Sequence, residues 1–411
     1  MNYKKIFGEL PRNWTVGTLD QYAEVIDPHP SHRAPSEVSD GYPFLGIGDL
    51  DYYGNATFDK ARHVGLEIIE EHEHNYKITE TSIGYAKMGN TIGKVVSFPS
   101  RQGKTRFAVS PALSVINPND QINPYYLRAV VESNAFWGQV NGKITGSTRP
   151  SIGIQQLRKI LIPLPPEAIQ ERIGEIWKAI YDKISVNTNI NDNLEQQAQA
   201  FFQELFVDNA DPEWAIGTIS DLGAVVGGST PSKAKSEYYT ETGIAWITPK
   251  DLSINKSKFI SHGENDITEL GLKNSSATIM PEGTVLFSSR APIGYIAVAA
   301  GEVTTNQGFK SIVPKPEIGT AFVYYFLKHN LPIIEGMASG STFKEVSGST
   351  MKGVPAVIPD TDTIARFNDF CTPIFAQQRI LEEQNQSLAV LRDNLLPKLM
   401  SGEIDISDIQ L

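Results

Sequence analysis

Trp14-Thr15-Val16-Gly17-Thr18-Leu19 occurs a second time, 200 residues further along the chain, as Trp214-Ala215-Ile216-Gly217-Thr218-Ile219. A second stretch, Ile92-Gly93-Lys94-Val95, returns as Ile293-Gly294-Tyr295-Ile296. Solenoid and propeller repeats have units of roughly 20 to 50 residues, so a repeat this long excludes them. The pattern predicts two similar domains in tandem, and therefore one task carried out twice.

The matches in the later part of each half all keep a single offset of 194 residues. The matched pairs are Gly146-Ser147-Thr148 with Gly340-Ser341-Thr342, Pro165 with Pro359, Arg172 with Arg366, Leu194 with Leu388, and Leu205 with Leu399. A constant offset means that no residues are inserted or deleted between these positions. The repeat therefore extends through the end of each half.

Length and composition limit the class of protein. A chain of 411 residues has room for two domains that each bury a core. Its single cysteine, Cys371, excludes a disulfide framework and a cysteine-cluster metal site. The sequence shows neither a signal peptide nor a run of about 18 apolar residues, so we expect a soluble, cytoplasmic protein without a membrane partner.

The net charge of −11 is unevenly distributed. Residues 1–166 contain 17 basic and 16 acidic side chains, whereas residues 208–360 contain 12 and 16. The shorter segments 167–207 and 361–411 contain 3 and 7, and 4 and 8. The acidity per residue is thus greatest in the two short segments, and the composition permits a local basic face for nucleic acid elsewhere.

The segments 167–207 and 361–411 have apolar residues spaced by threes and fours, which predicts one long helix in each. Prolines before each segment mark the helix starts. The predicted stripe consists of Ile173, Ile176, Ile180, Leu194, Phe201 and Leu205 in the first helix, and Phe367, Ile374, Leu381, Leu388 and Leu395 in the second. Because neither helix can bury such a stripe alone, we predict that they pack as an antiparallel coiled coil.

Polar residues interrupt this stripe near its middle, at Asn187, Asn191, Gln378 and Asn385. Polar residues inside a coiled coil cost stability but can fix its register. The alternative is ordinary variation on a solvated helix surface.

The remaining segments, 1–166 and 208–360, show short alternating or apolar runs separated by Gly, Pro and Asn, which predicts strand-rich domains. Short helices are expected at 124–131 and 320–328. The predicted fold class is therefore α+β: two similar mixed domains joined by two long helices, with a pseudo-twofold internal repeat.

This layout resembles the specificity subunit of type I restriction-modification systems over essentially the whole chain. The resemblance rests on the Trp and Gly-Thr openings, the Gly-Ser-Thr triplets, the echo of Gly48-Asp49-Leu50 in Lys250-Asp251-Leu252, and the ending Leu395-Leu396-Pro397-Lys398-Leu399-Met400-Ser401-Gly402-Glu403-Ile404. The last string is the most specific local signal. In that family, two target-recognition domains alternate with two long helical regions.

The resemblance implies a protein without catalysis or cofactors of its own, which selects double-stranded DNA for partner subunits. Each recognition domain would read one half of a gapped target, and the helices would set the gap. Two methyltransferase subunits would bind along the helices and supply S-adenosylmethionine. Restriction subunits would bring ATP and Mg²⁺ to cleave unmodified DNA.

Two loops recur at matching places in both halves and are predicted to meet DNA. Small residues let backbone amides approach phosphate, and hydroxyl and cationic side chains complete such a contact. The candidates in the loops 142–149 and 339–344 are Lys143, Ser147, Thr148, Arg149, Ser341, Thr342 and Lys344. The candidates in the loops 87–94 and 288–294 are Lys87, Asn90, Lys94, Ser288, Ser289 and Arg290.

Other candidates occur outside the repeated loops. Arginine can bind guanine through two hydrogen bonds, and Asn and Gln can do the same with adenine. These candidates are Arg101, Lys104 and Arg106 in a basic turn, Lys250, and the amides Asn306 and Gln307. The alternatives are structural loops, solvated surface charges and ordinary turn chemistry.

Catalytic and metal-binding motifs are absent from the sequence. No phosphate-binding loop, amino-methyltransferase motif or convincing nuclease carboxylate set is present. The His/Glu segments at 27–33 and 70–74 are more typical of solvated surface than of a zinc site. Two alternative hypotheses remain: an uncharacterised hydrolase, for which the repeated Asp49 and Asp251 are the only support, and a coiled-coil adaptor that binds protein or RNA.

Overall fold

The computed structural model describes residues 3–29, 33–99, 105–146, 148–340 and 344–404. Contacts divide the chain into two compact units. Unit 1 comprises Met1–Ser185 and Gln386–Leu411, and unit 2 comprises Val186–Asn385. Each unit contains one strand-rich domain and a segment of each long helix. The domain boundaries inferred from the sequence, 1–166, 167–207, 208–360 and 361–411, divide the chain differently and stay a prediction.

Unit 1 combines short helices with short strands. Its helices before the first long helix are α1 (Lys4–Phe7), α2 (Leu19–Tyr22), α3 (Leu66–Asn75), α4 (Pro124–Glu132), α5 (Asn134–Asn141) and α6 (Ile154–Arg158). Its strands are β1 (Thr15–Thr18), β2 (Ala23–Ile26), β3 (Tyr42–Leu45), β4 (Arg62–Val64), β5 (Ile83–Ala86), β6 (Val95–Ser97), β7 (Ala108–Val109), β8 (Leu113–Pro118) and β9 (Leu161–Leu164). The largest sheet has the order β2-β8-β5-β6 and is antiparallel throughout.

The first long helix, α7, spans Glu167–Gln203 and continues into a π-helical turn at Glu204–Asp208. Pro165 and Pro166 precede its first residue. Proline is tolerated at a helix start because the first N–H groups have no intrahelical partner. In unit 1, Ile173 and Trp177 join the hydrophobic cluster of the strand-rich domain.

Unit 2 repeats this plan with different lengths. Its short helices are α8 (Ile219–Leu222), α9 (Pro249–Ile254), α10 (Glu269–Lys273), α11 (Thr320–His329), α12 (Leu331–Gly336) and α13 (Gly348–Lys352). Its strands are β10 (Ala215–Thr218), β11 (Gly223–Gly227), β12 (Tyr239–Thr240), β13 (Trp246–Ile247), β14 (Phe259–Ile260), β15 (Asp266–Ile267), β16 (Val285–Ser289), β17 (Ile293–Ala299), β18 (Thr304–Thr305), β19 (Lys310–Pro314) and β20 (Pro355–Ile358). The largest sheet has the order β11-β19-β16-β17-β14, with β14 at one edge.

The second long helix, α14, spans Thr361–Ser401. Within unit 2 it packs antiparallel to α7, because Phe201 stacks near Phe367 while Asn187, earlier in α7, binds Asn385, later in α14. The predicted antiparallel pairing is therefore observed within this unit. Of the predicted stripe, Ile173, Ile180, Leu205, Phe367, Ile374 and Leu381 are buried, and Ile176, Leu194, Phe201, Leu388 and Leu395 are half-buried.

The repeat seen in the sequence is present in the backbone. Strand β1 pairs antiparallel with β9, and β10 pairs with β20 in the matching register. The helices predicted at 124–131 and 320–328 are confirmed as α4 and α11, each one residue longer. Asn123 caps α4 by accepting hydrogen bonds from the backbone N–H groups of Tyr125 and Tyr126. The α+β class predicted from the sequence is confirmed.

Candidate nucleic-acid interface

The two repeated loops lie side by side in each unit. In unit 1, Met88 and Thr145 both form bridges to Ser151, and the N–H of Ile152 donates to the carbonyl oxygen of Lys87 at 2.9 Å. In unit 2, Arg290 and Ser339 both form bridges to Glu345. The equivalent hydrogen bond there runs from the N–H of Val346 to the carbonyl oxygen of Ser289, at 2.9 Å. The fold thus joins two loops that are about 50 residues apart in sequence, and does so twice.

In each hairpin loop the turn contains a glycine that packs against an equivalent short helix. Gly93 and Gly294 have φ angles of +90° and +93°, which residues with a Cβ rarely adopt. A Cβ at Gly93 would meet the ring of Trp137 on α5, and one at Gly294 would meet Leu331 on α12. Trp137 and Leu331 are themselves 194 residues apart. The two loops are therefore held by equivalent contacts.

In unit 2, the loop 288–294 contributes Arg290 and Ala291 to the wall of a groove of about 700 Å³. Cations, amides, hydroxyls and two aromatic rings line it, together with two carboxylates. Its lining residues are Thr230, Lys233, Tyr239, Trp246, Thr248, Pro249, Lys250, Asp251, Glu264, Asn265, Arg290, Ala291, Asn306, Gln307 and Gly308. Four residues proposed from the sequence, Lys250, Arg290, Asn306 and Gln307, thus line a single groove.

Arg290 is oriented by a neighbouring carboxylate. Its guanidinium lies 3.5 Å from Oε2 of Glu345, and the ammonium of Lys310 lies 3.6 Å from Oε1 of the same residue. The side chain of Arg290 remains 37% exposed. A planar guanidinium held in this way can present its remaining N–H groups to a phosphate or a guanine edge.

The amides at the other side of the groove are fixed by the backbone and by a hydroxyl. Oδ1 of Asn306 accepts from the N–H of Gly308 at 2.8 Å, and Oε1 of Gln307 accepts from the hydroxyl of Thr230. Close packing beneath this loop requires glycine, because a Cβ at Gly228 would lie 2.0 Å from the carbonyl oxygen of Asn306. The amide groups therefore have defined directions before any ligand binds.

Asp251 has a structural role in this groove. Its carboxylate accepts from the N–H and hydroxyl of Thr248 and from the N–H of Glu264, at 2.6 to 2.9 Å, and so caps α9. The repeated Asp49 similarly accepts from the N–H of Gly46 at 2.8 Å. These two carboxylates, the only support for a hydrolase, are occupied in shaping loops. Lys250 is exposed and forms an ion pair with Glu264 at 2.5 Å.

Three of the proposed DNA contacts are buried. Lys87 is 2% exposed and forms an ion pair with Asp27, and burial lowers the pKa of its ammonium against the attraction of that carboxylate. The hydroxyl of Ser288 donates to the carbonyl oxygen of Pro292, and that of Ser289 donates to the carbonyl oxygen of Gly308. In this structure these side chains support the loops, and a direct contact with DNA would require them to leave these positions.

The other candidates differ in accessibility. Arg106 is half-buried and is held by Glu73 through two hydrogen bonds of 2.7 and 3.1 Å. Lys143 is half-buried, whereas Asn90, Lys94, Thr148, Arg149 and Lys344 are exposed and remain predicted contacts. The candidates Arg101, Lys104, Ser147, Ser341 and Thr342 lie outside the described residues.

The structure adds groove residues that the sequence analysis did not single out, chiefly Lys233, Tyr239 and Trp246. The indole N–H of Trp246 donates to the carbonyl oxygen of Ser229 at 3.0 Å, and the ring lies 5.6 Å from that of Tyr239. The pair Gly227-Gly228 was the available signal, because adjacent glycines in a strand-rich region indicate a close approach of two backbones.

The His/Glu segment 70–74 is only partly solvated. It belongs to α3, where His72 is 4% exposed, accepts or donates a hydrogen bond of 2.8 Å with the hydroxyl of Tyr76, and lies 4.6 Å from the ring of His29. Burial lowers the pKa of His72 to about 4. Within the described ranges, no three His, Cys, Asp or Glu side chains converge as metal ligands. The helices of the described part of the chain also include none long and apolar enough to cross a membrane.

Comparisons with known proteins agree with this architecture. The family model of the type I restriction modification DNA specificity domain matches residues 11–196 and again 212–389. The MjaIX specificity subunit of Methanocaldococcus jannaschii is 39% identical over 191 residues, which is 44% of this chain and 44% of that relative. The HindI specificity subunit of Haemophilus influenzae is 24% identical over 409 residues, covering 78% of this chain and 88% of that relative.

A solved S subunit of a type I restriction-modification system from M. genitalium shares the fold. Its identity to this chain is 17%, the alignment covers 95% of this chain and 97% of that one, and the TM-score is 0.53. The family model covers most of the chain in two blocks, and these blocks coincide with the internal repeat and the duplicated loop pairs. The chain therefore belongs to the type I restriction modification DNA specificity family and carries the family's domain twice.

Proposed function

We propose that this chain selects the DNA sequence on which a type I restriction-modification complex acts, each strand-rich domain reading one half of a bipartite, gapped target. The observation that carries this proposal is the duplicated loop pair with different side chains at equivalent positions. Met88 meets Ser151 in unit 1, whereas Arg290 meets Glu345 in unit 2. Equivalent backbones that carry different side chains suit the reading of two different half-sites.

The reactions themselves belong to partner subunits. We propose that two methyltransferase subunits dock on the long helices and provide S-adenosylmethionine, and that restriction subunits provide the ATP- and Mg²⁺-dependent step. The loop-shaping roles of Asp49 and Asp251 support a chain that recognises DNA without catalysis of its own. Such a complex would work on the host chromosome, and thus in the cytoplasm.

The decisive experiment is to compare adenine methylation across the host genome with and without this gene. Loss of a single gapped, two-part motif is the expected result, and it would define both half-sites. An unchanged methylome in a strain that expresses the chain and an active methyltransferase subunit would contradict the proposal.

Binding assays at two salt concentrations distinguish an adaptor that binds protein or RNA from a protein that recognises DNA. Contacts to DNA phosphates release counterions, so binding to a duplex that contains the motif should weaken steeply as salt rises. Preference for RNA, or no binding to duplex DNA at low salt, would favour the adaptor hypothesis.

A further inference from the structure

The outer edge of the main sheet in unit 2 is hydrogen-bonded to the second long helix through a carboxylate. Glu382 of α14 accepts hydrogen bonds from the N–H of Lys258 at 2.9 Å and from that of Phe259, the first residue of β14, at 3.0 Å. The carbonyl oxygen of Lys258 accepts from the N–H of Val298 on β17, at 2.7 Å. One side of the edge segment thus pairs with the sheet and the other with the helix.

The side chain of Lys258 enters the space between the sheet and both helices. It is 6% exposed and forms an ion pair with Glu195 of α7. Its ammonium also donates to Oε1 of Gln378 on α14 at 2.6 Å and to the hydroxyl of Tyr325 at 3.2 Å. The rings of Phe375, Tyr324 and Tyr325 lie 4.3, 4.8 and 5.2 Å from it. One buried cation therefore contacts the strand-rich domain, α7 and α14 together.

Glu195 accepts hydrogen bonds from the other donors in this network. Besides Lys258, it accepts from Lys328 at 2.6 Å, from the hydroxyl of Tyr325 at 2.8 Å, and from Nε2 of Gln378 at 3.4 Å. Burial would raise the pKa of this carboxyl, but the two ammonium groups outweigh burial and lower the pKa to about 2. Conversely, burial lowers the pKa of Lys258 despite the attraction of Glu195. Glu195 is thus fully ionised at neutral pH.

A network of this kind contributes more to geometry than to stability. The attraction between buried ions is largely offset by the cost of removing them from water, and apolar replacements of a whole pair are often neutral or stabilising. The pair instead fixes the orientation of the strand-rich domain relative to α7 and α14, because the donors and acceptors are all satisfied in only one arrangement of these elements.

In unit 1, different residues connect the edge strand of the main sheet to a long helix. Arg128 of α4 donates to the carbonyl oxygen of Val96, on the edge strand β6, at 3.1 Å, and its guanidinium also contacts Glu132. Glu132 in turn accepts from the indole N–H of Trp177 on α7 at 3.0 Å. A buried cation and a carboxylate again connect the sheet edge to a long helix. The recurrence of this arrangement with unrelated residues indicates that it serves a requirement common to both units.

We propose that Lys258, Glu195 and Glu382 are positioning residues that hold the recognition domain of unit 2 at one orientation on its helix segments, and thereby restrict the complex to a single gap length between half-sites. This inference rests on the proposed function. The bases read in each half-site depend on the loops, so they should not depend on this network.

The test replaces both members of the buried ion pair, in K258M/E195Q, and measures how strongly methylation depends on the length of the gap between half-sites. Methionine fills the space between the rings of Phe375, Tyr324 and Tyr325 without charge. Glutamine keeps one acceptor oxygen, for Lys328, and its amide N–H₂ can donate to the hydroxyl oxygen of Tyr325. The matched control is K273M/E269Q, which removes an exposed ion pair of 3.8 Å in the same unit. Each variant is co-expressed with the methyltransferase subunit and assayed on duplexes that keep both half-sites but differ in gap by one or two base pairs.

The expected result is a K258M/E195Q complex whose melting temperature stays within a few degrees of wild type and whose methylation of neighbouring gaps rises at least tenfold relative to the preferred gap. The control should keep wild-type selectivity. A folded K258M/E195Q complex that keeps its selectivity, or that loses methylation at every gap, would overturn the proposal. If this variant fails to fold, E382Q provides the test with the same two outcomes, since it keeps one acceptor for the edge strand. A wild-type complex that methylates no gapped motif would instead reject the proposed function.

Discussion

We predict that Arg290 discriminates between bases, because its partly exposed guanidinium lines the groove of unit 2. Its partner Glu345 also lies near Lys310, so removing the guanidinium leaves the loop with one of its two charge contacts. We expect R290A to reduce methylation of targets with the preferred base in one half-site by about 10- to 100-fold, in line with the 1 to 3 kcal/mol typical of a bidentate base contact. Recognition of the other half-site should be unchanged.

The measurement is methylation of duplexes that carry single base changes in either half-site. K273A, which alters an exposed lysine outside the groove, serves as the control. Equal weakening at both half-sites would mean that Arg290 contributes only general attraction to phosphate.

We predict that His72 makes the stability of unit 1 depend on pH. Burial lowers its pKa to about 4, whereas an unfolded histidine has its ordinary value of 6.5. Between these values the unfolded chain binds more protons, so the free energy of unfolding should fall as the pH decreases from 6.5 towards 4, by up to about 3 kcal/mol. Denaturant unfolding of wild type and H72Q across this range measures the difference. H74Q, which alters an exposed histidine of the same helix, should behave as wild type; equal pH slopes in wild type and H72Q would refute the assignment.

Residue types were easier to predict from the sequence than their surroundings. Arg290, Asn306 and Gln307 were identified because their side chains suit base edges, and the structure gathers them in one groove. Lys87 was chosen on the same grounds, yet it is buried against Asp27, a residue 60 positions earlier in the sequence. Local sequence shows that a lysine is present, but the fold decides whether its charge faces solvent or an ion-pair partner.

At the scale of elements, the polar residues in the middle of the helix pair can be tested directly. Asn187 is fully buried, and its Nδ2 donates to Oδ1 of Asn385 at 2.9 Å. Its Oδ1 has no hydrogen-bond partner in the part of the chain that the structure describes. We expect N187L to raise the free energy of unfolding by about 1 kcal/mol, because it removes a buried, unsatisfied acceptor, whereas Asn385, which loses its donor, is only half-buried and can bind water instead.

Thermal or denaturant unfolding of the purified chain provides the measurement. N193L is the matched control, since Asn193 is exposed on the same helix and should change stability little. A loss of stability in N187L would show that the asparagine pair contributes more than its incomplete hydrogen bonding suggests.

Helix positions followed from periodicity, but helix ends did not. The apolar spacing continues through Leu205, so the sequence placed the end of the first helix at 207, whereas α7 ends at Gln203 and a π-helical turn covers Glu204–Asp208. The π-helical turn is wider than an α-helical turn but still places Leu205 on the buried side. The apolar spacing in the sequence therefore does not reveal where the α-helix ends. The contacts of Glu382 and Arg128 with the edge strands could not be predicted from the sequence either, because each contact joins distant parts of the chain.

For the whole molecule, the internal repeat was the most informative feature of the sequence. It predicted two similar strand-rich domains and two long helices, and the matching registers of β1 with β9 and of β10 with β20 bear this out. The sequence did not show that contacts would divide each helix between the units. That division arises because each helix packs against both strand-rich domains in turn, a consequence of antiparallel pairing rather than of any local pattern.

The family resemblance implies that the long helices set the gap between the half-sites, and this leads to a prediction about the complete complex. Four residues inserted between Ser185 and Val186, together with four between Asn385 and Gln386, would lengthen both helices where the two units meet in the chain. Four helical residues add about 6 Å, which corresponds to about two base pairs at roughly 3.4 Å per step. We therefore expect the methylated motif to keep both half-sites but to have a gap about two base pairs longer, as read by methylome sequencing. Four residues inserted after Asn209, beyond the helix, should leave the gap unchanged. An unaltered gap in the double insertion would mean that the helices do not set the spacing, and that the half-sites are located by the recognition domains or by the partner subunits.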